Sequence, residues 1–140
     1  MFEVQKQSLL VDEYMEIYSS VGWKLWSKEQ ISAALANSTF TVCVKENGKP
    51  IGMGRFVGDG IYCDIKDLAV LPSYQGKGVG KLIMDTIIEH ISESTPKEHN
   101  VCVQLISTEN KEGFYEKYGF GKKPGDGMGH GMMALITGRK

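Results

Sequence analysis

Six residues, Gln75-Gly76-Lys77-Gly78-Val79-Gly80, constrain this chain most, because of what stands on either side of them. Upstream, Ile65-Lys66-Asp67-Leu68-Ala69-Val70 reads as a strand that stops at Leu71-Pro72. Downstream, Lys81 to Ile91 repeats its apolar residues at helical spacing. A glycine-rich turn from strand to helix gathers unpaired N–H groups at the positive end of the helix dipole. Such a turn binds anions, and the glycines let a bulky one, such as a pyrophosphate, approach the backbone.

Two phosphate-binding patterns fail against these residues. For G-x-x-x-x-G-K-[ST], Gly80-Lys81 is followed by Leu82, and Gln75 stands where the first glycine belongs. For G-x-G-x-x-G counted from Gly76, the last position is Lys81. A third pattern, [QR]-x-x-G-x-[GA], fits at Gln75, Gly78 and Gly80. Leu68 to Pro72 precedes it, an amphipathic helix follows, and Gly113-Phe114-Tyr115-Glu116-Lys117-Tyr118-Gly119-Phe120 comes later. In that order and spacing, residues 40 to 136 resemble the GNAT superfamily of acyl-CoA-dependent acetyltransferases.

Bulk properties fit one globular domain, residues 1–140, with 41% apolar and 24% charged residues. A net charge of −1 argues against a nucleic-acid partner, which calls for a basic face. No apolar run approaches the ~20 residues of a membrane span. Met1 to Lys6 lacks the basic-then-apolar order of a signal peptide, so the expected location is cytoplasmic. Cys43, Cys63 and Cys102 lie in apolar, strand-like stretches without C-x-x-C spacing or a histidine cluster. Buried, reduced thiols are expected, with no metal and no cysteine nucleophile.

The pattern predicts a strand over 2–7, then a helix over 9–21 from Leu10, Tyr14, Ile17 and Val21. Ser27-Lys28-Glu29-Gln30 is a capping box opening a second helix. Residues 40–45 and 51–57 read as a hairpin about Asn47-Gly48, followed by a strand over 61–70. A long helix over 78–94, a strand over 101–106, a short helix over 110–118 and a last strand over 132–136 complete the order. The expected fold class is α/β, a mixed central sheet with helices on both faces. Seven of the 17 glycines lie between Gly113 and Gly131. The run Pro124 to Gly131 is therefore expected as a loose loop joining the last two strands, a flap over an acceptor site or plain surface.

The resemblance implies chemistry as well as fold. Acetyl-CoA is the implied co-substrate, its pyrophosphate held by the backbone of Gln75, Gly76, Lys77, Gly78, Val79, Gly80 and Lys81. Lys77 and Lys81 could add charge or simply be solvated. The strand before the loop is bulged and splayed in the family, so Leu68, Ala69 and Val70 would pair with the pantetheine amides. The Val70 amide would polarise the thioester carbonyl. Tyr115 would protonate the departing thiolate, because a phenol of pKa ~10 keeps its proton near neutrality. Tyr115 would also touch the cofactor, while Tyr118 is the alternative tyrosine. Thr108 stands where relatives carry an asparagine, and Asn110 is out of step. The candidate bases are Asp64 and Asp67, placed on opposite faces by strand alternation unless a bulge intervenes, with His130 as a third. The implied activity is N-acetyl transfer to a small-molecule amine or a peptide, by direct attack in a ternary complex. A module that binds CoA without turnover is the alternative. Relatives are often homodimers, but no residue here marks an interface.

Overall fold

Alternating β-branched residues and a tight turn build the centre of the sheet. In a computed structural model describing residues 1–140, β2 (Phe40–Glu46) and β3 (Lys49–Gly58) pair antiparallel across Asn47 and Gly48. Both turn residues take positive φ, 50° and 80°, as a two-residue hairpin with the twist of its strands requires. β1 (Phe2–Lys6) joins β2 antiparallel, and β4 (Tyr62–Val70) joins β3 antiparallel. β5 (Cys102–Gln104) lies parallel to β4, giving a mixed sheet in the order β1-β2-β3-β4-β5. The expected fold class holds.

Helices cover both faces. On one, α1 (Val11–Ser20) packs on β3 and β4, and α2 (Lys28–Ala36) packs on α1. On the other, α3 (Val79–Ser94) packs on β2, β3 and β4. The capping box at α2 forms as the sequence predicts: Gln30 N–H donates to Ser27 Oγ at 3.1 Å, and Ser27 N–H to Gln30 Oε1 at 3.4 Å. The α3-side core contains Val42, Val79, Ile83, Met84 and Ile87, all fully buried. Burying such side chains contributes about 1.5–3 kcal/mol each and anchors α3 against the sheet.

Two compact units make up the chain, Met1–Leu105 and Ile106–Lys140. The first contains the whole sheet and α1 to α3. The second contains α4 (Glu112–Glu116) and a turn closed by a bridge between Gly125 and Met128. The strand expected over 132–136 does not form. Met132, Met133, Leu135 and Ile136 are all exposed, and their backbone joins no ladder. A strand is held by its neighbours' hydrogen bonds, so apolar content alone cannot make one. The run Pro124 to Gly131 consequently does not join two strands. Cys43 and Cys63 are buried as expected, but Cys102 is exposed because it sits on edge strand β5.

Candidate functional site

Strand β4 loses its parallel partner halfway along. Its pairing with β5 runs through Tyr62↔Cys102, Cys63↔Val103 and Asp64↔Gln104 and ends there. Pairing with β3 continues to Val70, and Leu71 N–H then donates to Ile51 O at 2.8 Å. Because backbone groups alternate in direction along a strand, those of Val70 face the open edge. The Val70 carbonyl accepts a 3.0 Å hydrogen bond from Gln75 Nε2, so the first residue of the loop motif ties the loop back to the strand end. Residues 65 to 70 thus present one free edge leading directly into the loop.

A bulge bends this strand. The β3–β4 register steps from Arg55↔Lys66 to Met53↔Ala69, so Asp67 and Leu68 together face Gly54. Asp67 takes φ 56°, the left-handed region, which costs a non-glycine residue about 1–2 kcal/mol. Its side chain is tightly held: Oδ2 accepts from Tyr14 Oη at 2.7 Å and from Arg55 Nε at 2.8 Å. Arg55 also donates from a terminal nitrogen to Ser38 Oγ at 3.2 Å. The Arg55 and Asp67 side chains are only 14% and 17% exposed, so solvent screens their pairing weakly. Burial, and then the Asp67 carboxylate, push the Tyr14 phenol well above its ordinary value, leaving it a hydrogen-bond donor throughout the neutral range.

The bulge also changes which face the two candidate carboxylates share. Asp64 stands opposite Val57, while Asp67 reaches Arg55, two residues away on the same strand. Residues two apart on a strand share a face, so Asp64 and Asp67 lie on the same side of the sheet. Strand alternation alone places them on opposite sides, and the extra residue in the bulge reverses that. Asp67 spends its carboxylate on two partners. Asp64, half-buried, makes no such ion pair.

The loop takes its shape from glycine. A 3₁₀ turn over Pro72–Tyr74 follows β4, and Gly76 and Gly78 take φ 77° and 85°. An added Cβ at either glycine would meet nothing within 4 Å, so backbone conformation, not space, selects the residue. Gly78 is the N-cap of α3 and has no side chain to occupy the first N–H groups of the helix. No acidic residue lies in the first turn to repel an anion. The two lysines are already engaged: Lys77 Nζ lies 5.3 Å from the centre of the Tyr74 ring, and Lys81 pairs with Asp85 at 2.7 Å.

Gly52 and Gly54 set the depth at which α3 sits. A Cβ at position 52 would lie 2.7 Å from Val79 Cγ1, and one at position 54 would lie 2.7 Å from Ile83 Cγ2. Only glycine lets the start of α3 approach β3 so closely. Neither glycine was marked by the sequence motif, although two glycines at alternate positions of a buried strand signal a close backbone approach.

Tyr115 lies in the second unit, on α4, buried with its ring against Phe114 at 5.0 Å and Phe120 at 6.4 Å. Burial raises its phenol above the ordinary value, which keeps the proton in place. Tyr118 also contacts Phe114 but is less buried. Asn110, at φ 67°, serves the turn into α4, its N–H directed at Glu112 Oε1 at 3.3 Å. His130 is exposed in the second unit. The first unit therefore collects Asp64, Asp67, Leu68, Ala69, Val70 and the loop Gln75 to Lys81, joined by Tyr14, Arg55 and Ser38. Sequence spacing could not signal those three, because they lie 53, 12 and 29 residues before Asp67. Buried Cys43 and Cys63 have thiols pushed up to about 11, chiefly by burial, and are poor nucleophiles near neutrality.

Comparison with known proteins agrees with this geometry. A model of the acetyltransferase (GNAT) domain matches residues 36–122. A solved structure of a probable acetyltransferase from meticillin-resistant Staphylococcus aureus is 32% identical, with a TM-score of 0.83 over 96% of this chain and 100% of that one. The chloroplastic GCN5-related N-acetyltransferase 1 of Arabidopsis thaliana is 29% identical over 87% of this chain, which spans 61% of that relative's length. A GNAT family acetyltransferase from Brucella melitensis, solved in complex with acetyl-CoA, shares the fold at 17% identity, with a TM-score of 0.65 over 87% of this chain and 84% of that one. The bulged strand with its open edge, the glycine loop and the matching family model lead to one conclusion: this chain belongs to the GNAT acetyltransferase family.

Proposed function

We propose that this protein transfers the acetyl group of acetyl-CoA to a primary amine by direct attack in a ternary complex. One observation carries the reading: the free edge of β4 is followed, after one 3₁₀ turn and the glycine loop, by the N-terminus of α3, which no side chain caps. CoA has a matching layout, a chain of amides ending in a pyrophosphate. The pantetheine amides would add to the free edge as an extra strand. The pyrophosphate would take the N–H groups from Gly76 to Lys81. The Val70 N–H, directed to the same edge, would donate to the thioester oxygen as negative charge develops there. A donor of this kind contributes about 2.7–4 kcal/mol in well-studied enzymes.

Proton traffic completes the scheme. An alkylammonium cannot attack, so a carboxylate must take its proton, and Asp64 serves directly or through water. Asp67 is not assigned this role, because its Oδ2 already accepts hydrogen bonds from Tyr14 Oη and Arg55 Nε. As the C–S bond breaks, the thiolate takes a proton from Tyr115. Free thiol release from acetyl-CoA across a panel of small amines and peptides tests the proposal. Release with at least one acceptor, slowed in Tyr115→Phe, is the expected result. Saturable CoA binding with no release from any acceptor would favour a module that binds CoA without turnover.

A further inference from the structure

Asp67 combines three features that a solvated strand carboxylate does not need. It is a non-glycine residue at positive φ, it is the inserted residue of a bulge, and its carboxylate oxygen accepts two short hydrogen bonds. The donors come from separate elements, Tyr14 from α1 and Arg55 from β3. Ser38, just before β2, accepts from Arg55 in turn. We propose that Tyr14 and Arg55 clamp Asp67 as a positioning residue, fixing the bulge so that β4 delivers the Val70 N–H to the acyl group.

The geometry explains why a clamp is useful at this point. Val70 lies three positions after Asp67, and the β5 side of β4 has no strand to hold it over that stretch. A strand bonded on one side can twist about its remaining ladder, and a bulge weakens that ladder further. Arg55 crosses the bulge from the neighbouring strand, while Tyr14 holds it from the helix above. Each donor bonds an ionised acceptor, which makes these bonds stronger than neutral ones. Asp67 thereby acts through Val70 and not on the substrate, and proton removal falls to another group.

The inference rests on the acetyl-transfer reading for its purpose but not for its test. Amide hydrogen exchange in the ligand-free protein, with Leu71 as reporter, reads the clamp, because the Leu71 N–H bonds to Ile51 O at the end of the β3–β4 pairing, on the Val70 side of the bulge. Tyr14→Phe and Asp67→Asn should each speed Leu71 exchange about tenfold or more, while Val42 and Val44 in β2 stay unchanged. Asparagine tolerates positive φ, so Asp67→Asn removes the charge without opposing the backbone. The double variant should be no worse than the more affected single variant, as expected for one shared contact. In turnover, both substitutions should lower kcat about tenfold, with KM for acetyl-CoA kept within about threefold. The ascending limb of the pH–rate profile should survive in Asp67→Asn. Unchanged Leu71 exchange, equal acceleration throughout the core, or loss of that limb would each overturn the proposal. If the wild-type protein released no thiol with any amine, acetyl transfer would fall, while the exchange comparison would still decide the clamp.

Discussion

A single methyl group on Gly54 tests how the sheet places the loop. The Cβ of Gly54→Ala would stand 2.7 Å from Ile83 Cγ2 and 3.1 Å from Ile87 Cδ1. Carbon atoms pack at about 3.5–4.0 Å, so the closer contact falls short by about 1 Å. Both isoleucines are fully buried, so neither can swing out into solvent without leaving the core. Either they leave their preferred rotamers or α3 moves away from β3, at a cost of about 1–3 kcal/mol. For a chain of this size each kcal/mol lowers Tm by about 4 °C, giving a fall of about 4–12 °C. Because α3 begins at Val79, its displacement carries the loop amides with it. A shift near 1 Å would lengthen hydrogen bonds to a pyrophosphate and weaken CoA binding about tenfold, or 1.4 kcal/mol. Thermal melting and calorimetric titration with CoA read the two effects separately. Gly138→Ala is the control, since its added Cβ would meet nothing within 4 Å. If Gly54→Ala melted and bound CoA as the wild type does, close seating of α3 on β3 would not be what positions the loop.

Other substitutions test separate parts of the account. Tyr115→Phe should lower kcat about 100-fold and leave CoA affinity within about threefold, measured by thiol release and calorimetry; a collapse in affinity would remove Tyr115 as the acid. Asp64→Asn should flatten the ascending limb of the pH–rate profile, and an unchanged limb would exclude Asp64 as the base. Lys45 and Glu13 form a 2.6 Å ion pair with side chains only 16% and 11% exposed, so Lys45→Met should destabilise the fold by about 3 kcal/mol in urea titration. Glu13 raises the Lys45 ammonium above its ordinary value, so the stability gained from this pair is full below about pH 10 and lost as pH rises through the folded-state value. A contribution that stayed constant through the alkaline range would contradict that sign.

Much of the fold was legible because its signals are local. Asn47-Gly48 specifies a hairpin turn, Ser27 with Gln30 specifies a helix start, and the spacing of Val79, Ile83 and Ile87 marks the buried face of α3. The last strand was not legible because 132–136 carries apolar residues but no hydrogen-bonding partner, and a partner is a tertiary fact. The loop could be read from its glycines, which are selected by backbone angle at each position. Asp67 shows where such reading stops. Its identity suggests a base, yet one extra residue in the strand moves it to the face of Asp64 and into the reach of Arg55 and Tyr14. A bulge leaves no dependable mark on side-chain alternation, so neither the shared face nor the clamp could be counted out from the sequence. Gly52 and Gly54 fall between these cases, since their spacing hints at close packing and only the position of α3 explains it.

Whether the turn from Gly76 to Lys81 grips a diphosphate can be measured directly by titrating CoA into the wild-type protein and into Gly78→Val in a calorimeter. A β-branched residue resists φ 85°, so the variant should lose the turn geometry while the sheet still melts cooperatively. Saturable binding to the wild type, weakened at least about tenfold in the variant, is the predicted result. Heat and saturation that are the same in both proteins, or absent from both, would contradict it.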